Sequence, residues 1–281
     1  MRRMTGTSVP FTRRAGLLLS GLSLLGVVAL LWPFVLTVSS SASQAHRFDA
    51  PIELMVLVPL LLLLCASELA RGSFDVRAIA VLGILAACGT ALRIPSPGVA
   101  GFEPMFFLLI LAGFVYGPSF GFALGGLTLF VSALATGGIG PWLPFQMLAA
   151  GWVGLGAGFL PQVSHIKFEK YLLASYAVVG CILYGVVMNL WFWPFGIGSS
   201  TSISYVPGGA LSTNIAHFFL FDVTTSLGFD IPRAVINAAL ILLLGGPVLV
   251  ALRRGAHRVT MHPLDLPPEG APRSRAPLIP E

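Results

Sequence analysis

Along this chain apolar residues run in blocks of about 15 to 24, broken by short polar, glycine or proline stretches, and each block has the length of a membrane-spanning helix. Eight such helices are predicted. The first covers about Ala15 to Val38, the second Pro51 to Ala70 and the third Val76 to Leu92. Pro104 to Tyr116 gives a short fourth, Gly117 to about Ala135 a fifth, Phe145 to Leu160 a sixth and Tyr171 to Leu190 a seventh, which runs into the aromatic stretch Asn189-Leu-Trp-Phe-Trp-Pro194. The last is expected to start at Pro232, a residue suited to a first helical position, and to stop near Leu252 ahead of Arg253-Arg254. Phe195 to Ile231, between the last two, is long and too aromatic for disorder. Its apolar stretch around Ile215 to Phe221 reads as a re-entrant or surface-lying helix over the mouth of the bundle.

Small residues recur at four-residue intervals: Gly83, Ala87 and Ala91 in the third helix, Gly117, Gly121 and Gly125 leading into the fifth, and Gly154 with Gly158 in the sixth. Such ladders let helices approach closely, either inside one bundle or against a second membrane subunit. Gly117-Pro-Ser-Phe-Gly121 also fits G-x-S-x-G, but a nucleophile elbow needs a preceding strand and a triad, and this segment joins two membrane helices. Gly137-Gly-Ile-Gly-Pro-Trp-Leu-Pro-Phe-Gln-Met147 is the most distinctive break. Its prolines fix φ, Trp142 suits the headgroup level, and Gln146 opens the next helix with an uncharged hydrogen-bonding group.

Hydrophobic residues make up 56% of 281 and charged residues 10%, with a mean hydropathy of +0.89, which excludes a soluble domain. An outer-membrane barrel is excluded too, because its strands are segments of roughly ten alternating residues. The fold class expected is an all-α polytopic membrane protein. Cys65, Cys88 and Cys181 lie inside apolar runs without metal-ligand spacing and read as small buried hydrophobes, so neither disulfide nor metal is expected. The first run resembles a secretory leader in its basic, apolar, small-residue order, and Thr12-Arg-Arg14 hints at a twin-arginine signal. At some 24 residues it exceeds a leader's apolar region of roughly 7 to 15, so it is expected to stay as a helix.

Threading eight helices with the N-terminus inside puts 13 of the 16 Lys and Arg residues on the cytoplasmic side, leaving Arg47, Arg93 and Arg233 outside. Both termini are then cytoplasmic, and the loops at Arg93 to Glu103, Gly137 to Pro144 and Trp191 to Asp230 share the external face. Polar and aromatic groups at those helix ends are the candidate contacts for a small molecule: Trp142 and Gln146 first, then Arg93, Glu103, Asn189, Trp191, Trp193, His217 and Asp222. Arg233 and Asn237 stand behind them. Other readings stay open at this point: Arg93 can pair with Glu103 to staple a loop, and Trp191 with Trp193 can anchor an interfacial belt.

These residues resemble a family, the substrate-binding S components of energy-coupling factor (ECF) vitamin transporters. The resemblance covers about Val76 to Arg254. It rests on the Gly83-Ala87-Ala91 ladder, the Arg93-Ile-Pro-Ser-Pro loop, Phe114-Val-Tyr-Gly-Pro-Ser-Phe-Gly121, and Gly138-Ile-Gly-Pro-Trp-Leu-Pro-Phe-Gln-Met147. The last is similar to a G-x-G-P-W-x-P-[FW]-Q-M signature of a subset of uncertain substrate. The resemblance implies a compact six-helix core over 76–254, preceded by two extra helices within 1–75 and followed by a disordered cytoplasmic tail over 255–281. It implies a multi-pass protein of the bacterial cell membrane that captures a vitamin or related micronutrient, cobalamin being one cargo associated with the subset. Its partners would be a transmembrane coupling protein and two cytosolic ATPases, met through Gly83, Ala87 and Ala91; the vitamin would be a ligand, with no cofactor, no nucleic acid and no catalytic residue. The chain has no G-x-x-x-x-G-K-[ST] sequence, so hydrolysis of ATP falls to partners. The competing classes are a scaffold subunit of another membrane complex and a membrane-embedded enzyme, for which paired aspartate-rich motifs and a G-x-S-G with partner His are missing.

Overall fold

A computed structural model describes residues 13–35, 76–95, 99–162, 166–196 and 201–260. The described residues form eight helices and one 3-10 turn: α1 Arg13–Val35, α2 Val76–Arg93, the turn Val99–Gly101, α3 Met105–Tyr116, α4 Pro118–Thr136, α5 Leu143–Gly158, α6 Ile166–Gly196, α7 Leu211–Thr225 and α8 Leu227–Thr260. Four of them, Val76–Arg93, Pro118–Thr136, Phe168–Pro194 and Leu227–Ala256, are long and apolar enough to cross a membrane. The predicted helix at Pro51 to Ala70, Cys65 and most of the expected tail lie outside the described residues.

The bundle is built around α3. Its twelve residues are all buried, and α2, α4, α5, α6 and α8 surround it. A twelve-residue helix rises only about 18 Å, short of a bilayer core of about 30 Å. That shortness is tolerated because its ends meet protein rather than lipid. Proline and glycine set its limits: Pro104 precedes the first turn, and Gly117 with Pro118 turns the chain directly into α4.

Helices α4 and α5 make the closest approach. A Cβ on Gly121 would overlap the carbonyl oxygen of Gly154, and one on Gly154 would overlap that of Gly121. The ladder predicted from spacing is therefore a backbone-to-backbone contact within the bundle, and Ser119 of the G-x-S-x-G segment is buried in the first turn of α4. Gly154→Val is expected to destabilise the protein by at least about 1–3 kcal/mol, the usual cost of overpacking, read as a lowered melting temperature in detergent.

Three sequence expectations are corrected. The last helix starts at Leu227, with Pro232 inside it, and continues to Thr260. The carbonyl of Ser226 accepts the amide protons of Phe229 and Asp230, so a turn is already formed before the proline, which forfeits one internal bond. Helix α6 likewise continues through the aromatic stretch to Gly196, and Trp193 is 0% exposed rather than a belt anchor. Its indole donates to the carbonyl of Ile203 at 2.7 Å, and Phe34 stacks on it at 5.7 Å. Cys88 is exposed rather than buried, because α2 turns that face away from the bundle. The long segment before α8 does contain a helix, α7, of which Asn214 and Phe221 are buried.

Helix α1 lies across α5, α6 and α7. The Trp152 indole donates to Ser23 Oγ at 2.8 Å, a bond made in surroundings where an unpaired N–H would be costly.

Candidate functional site

One end of the bundle gathers the C-terminal ends of α2, α4 and α6, the start of α5, all of α7 and the start of α8. Between α6, α7 and α8 there is a cavity of about 440 Å³. Phe192, Phe221 and Phe229 supply its aromatic walls, and Asn189, Ser226, Asp230 and Arg233 its polar ones. Gly185 on α6 makes room for it, since a Cβ there would overlap the carboxylate of Asp230.

Two linked polar groups define the chemistry. In the first, the Asn189 amide donates to Asp222 Oδ1 at 2.6 Å and also to Ser226 Oγ, tying α6 to both sides of the junction between α7 and α8. In the second, Arg233 donates through Nε to Glu103 Oε2 at 2.7 Å and through one amino group to Asp230 Oδ1 at 2.5 Å. Glu103 also faces Arg93 at 3.4 Å, and Arg93 donates to Ser132 Oγ at 2.9 Å. Arg93, Glu103, Asp230 and Arg233 are all buried, and the Arg233 guanidinium lies 5.1 Å from the centre of the Tyr184 ring.

Asn237 locks this network to the central helix. Its carbonyl oxygen accepts the amide proton of Phe107 at 2.7 Å, and its NH₂ donates to the carbonyls of Glu103 and Arg233 at 2.9 and 2.8 Å. The turn before Glu103 fits only with glycine at its end. Gly101 has φ +73°, and a Cβ there would overlap the carbonyl oxygen of Phe229.

Comparison with known proteins adds one decisive match: the family model of the ECF transporter substrate-specific component covers residues 77–245, more than half of the chain. The chain belongs to this family. No curated protein and no solved structure matches it. As an ECF substrate-specific component it is a multi-pass cell-membrane protein, a substrate-binding subunit rather than an enzyme, in a family that works with a transmembrane coupling protein and ATPases.

Within this S component the sequence-predicted residues separate into groups. Asn189 lines the cavity, and Asp222 adjoins it through their hydrogen bond. Arg93 and Glu103 sit behind it in the ion-pair network, as the stapling alternative anticipates. Trp142, 38% exposed, meets Trp191 edge to face at 6.2 Å, and Trp191 in turn meets Phe145 at 6.3 Å, which forms an aromatic shelf on the α5–α6 side. Gln146 is half-buried one turn beyond Trp142, with no described residue hydrogen-bonded to its side-chain amide. Trp193 belongs to an inner cluster with Tyr205 and Phe221. His217 Nδ1 bonds the carbonyl oxygen of Ser204 at 2.8 Å, on the side of α7 toward that loop. Ser226, Asp230 and the phenylalanine walls were not singled out from sequence. The spacing of Asp230 and Arg233, three apart at a helix start, was the signal available for the first ion pair.

Proposed function

We propose that this S component captures a vitamin or related micronutrient at the external face, in the cavity between α6, α7 and α8, and delivers it by docking through α2 on the coupling protein and its two ATPases. The observation that carries the reading is that cavity: apolar and aromatic walls with a few convergent polar groups, of a size suited to a small ligand. Charge supports the orientation. Arg93 and Arg233 at the cavity end are buried and paired, whereas Lys170, Arg253 and Arg254 cluster at the opposite end, toward the end of α8, the pattern of a cytoplasmic side. The volume favours a cargo smaller than cobalamin, which would need the aromatic walls to move apart. Trp142 and Gln146 stand as contacts from the neighbouring shelf.

On α2, Gly83, Ala87 and Ala91 are all exposed, and no described residue fills the space around Gly83. Close approach of a second helix is what such a stripe permits.

The test is purification in detergent from cells grown in rich medium, followed by mass spectrometry of released small molecules. The expected result is one stoichiometric vitamin-sized compound with the wild type and its loss from Thr225→Trp, which fills the cavity from an exposed position. Equal recovery from both proteins would remove the cavity as the site.

A further inference from the structure

The charges around the cavity do not balance. Among the described residues, three carboxylates, Asp222, Asp230 and Glu103, meet two guanidiniums, Arg93 and Arg233. Both arginines are already committed: Arg233 serves Glu103 and Asp230 together, and Arg93 serves Glu103 and Ser132. Among the described residues the Asp222 carboxylate is held by the neutral amide of Asn189 alone, and no described cation lies within ion-pair distance of it. His217, on the same helix, is turned to the carbonyl of Ser204. Lys170 and Arg253 are tied to Leu242 and Glu169 at the other end of the bundle.

Asp222 is half-buried and bonded to Asn189 of the cavity wall, and a carboxylate in such partly apolar surroundings attracts a positive charge more strongly than one in open water. The walls suit such a charge, because Phe192, Phe221 and Phe229 line the cavity and aromatic rings attract organic cations through their quadrupoles. Asp230 contributes a second acceptor. It is 3% exposed yet lines the cavity, with Oδ1 engaged by Arg233.

Building on the capture reading above, we propose that the cavity selects a ligand bearing a positively charged nitrogen on an aromatic or apolar body, with Asp222, bonded to Asn189 of the wall, as the counter-charge and the phenylalanine rings as its lining. An anionic ligand would face an excess of carboxylate and guanidiniums already shared.

Equilibrium dialysis of the full-length protein in detergent tests this with two matched probes, benzyltrimethylammonium and phenylacetate. The wild type is expected to bind the cation at least tenfold more tightly. Asp222→Asn, which keeps the hydrogen-bonding shape of the side chain, is expected to lose most of that preference while melting as the wild type does. Equal or tighter binding of phenylacetate, no binding of either probe at millimolar concentration, or a cation preference unchanged in Asp222→Asn overturns the proposal. Thr225→Trp separates this from failure of the site itself. Probes that bind without charge preference and are excluded by Thr225→Trp leave the cavity as the binding site and reject only its charge selectivity. Probes that bind Thr225→Trp as well as wild type reject both.

Discussion

Replacing Arg233 with methionine is expected to destabilise the protein by about 3–5 kcal/mol, the cost of removing one partner from a buried ion pair. The size follows from what the guanidinium does. It is the shared cation of Glu103 and Asp230, all three are buried, and Methionine keeps the length and apolar stem while leaving two carboxylates without it. Arg93 does not replace it, because it lies 3.4 Å from the far oxygen of Glu103 and donates to Ser132. Arg233→Lys should recover only part of the loss, since a single ammonium cannot match the planar fork that reaches Glu103 through Nε and Asp230 through an amino group. Thermal melting in detergent, followed by size-exclusion chromatography, reads both variants. A methionine variant that melts with the wild type would mean that the two carboxylates do not depend on this arginine.

That network also shows where sequence reading reaches and where it stops. The middle of the bundle was legible because glycine and proline interrupt it sharply: Pro104, Gly117-Pro118 and the Gly137 to Pro144 turn mark helix ends that fall within a few residues of those observed. The same rule misled at Pro194 and Pro232. There tertiary contacts, such as the burial of Trp193 and the pairing of Arg233 with Glu103, carry the helix past a residue that merely forfeits one hydrogen bond. The site divides in the same way. Asn189, Asp222, Arg93 and Glu103 could be picked out as polar groups at helix ends in an apolar chain, where each must have a reason to be present. What could not be read was their pairing. Asn189 and Asp222 are 33 positions apart, and Arg233 and Glu103 are 130 apart. The space for Asp230 depends on Gly185, on a different helix, having no side chain.

Gly83→Leu is expected to abolish uptake into cells, at least tenfold, while leaving ligand binding and melting temperature unchanged. The expectation separates capture from delivery. Among the described residues nothing lies within 4 Å of where a Cβ on Gly83 would stand, and Ala87 and Ala91 are exposed, so a leucine here meets none of the described residues. The described part of the bundle therefore does not oppose the substitution. Transport in this family needs the coupling protein, and a helix that must approach another closely uses small residues so that the two backbones can come together; a leucine at the first rung holds them apart. The cavity is lined by α6, α7, α8 and the junction between the last two, with no residue of α2 on its wall, so binding has no direct reason to respond. Co-purification with the coupling protein gives the second readout and should fail in parallel with uptake. Loss of uptake with an intact complex would place Gly83 in a later step of delivery, and normal uptake by Gly83→Leu would move the docking face to another helix. Alanine at the same position is the graded control: it adds one methyl group, matches Ala87 and Ala91, and should retain most of the activity.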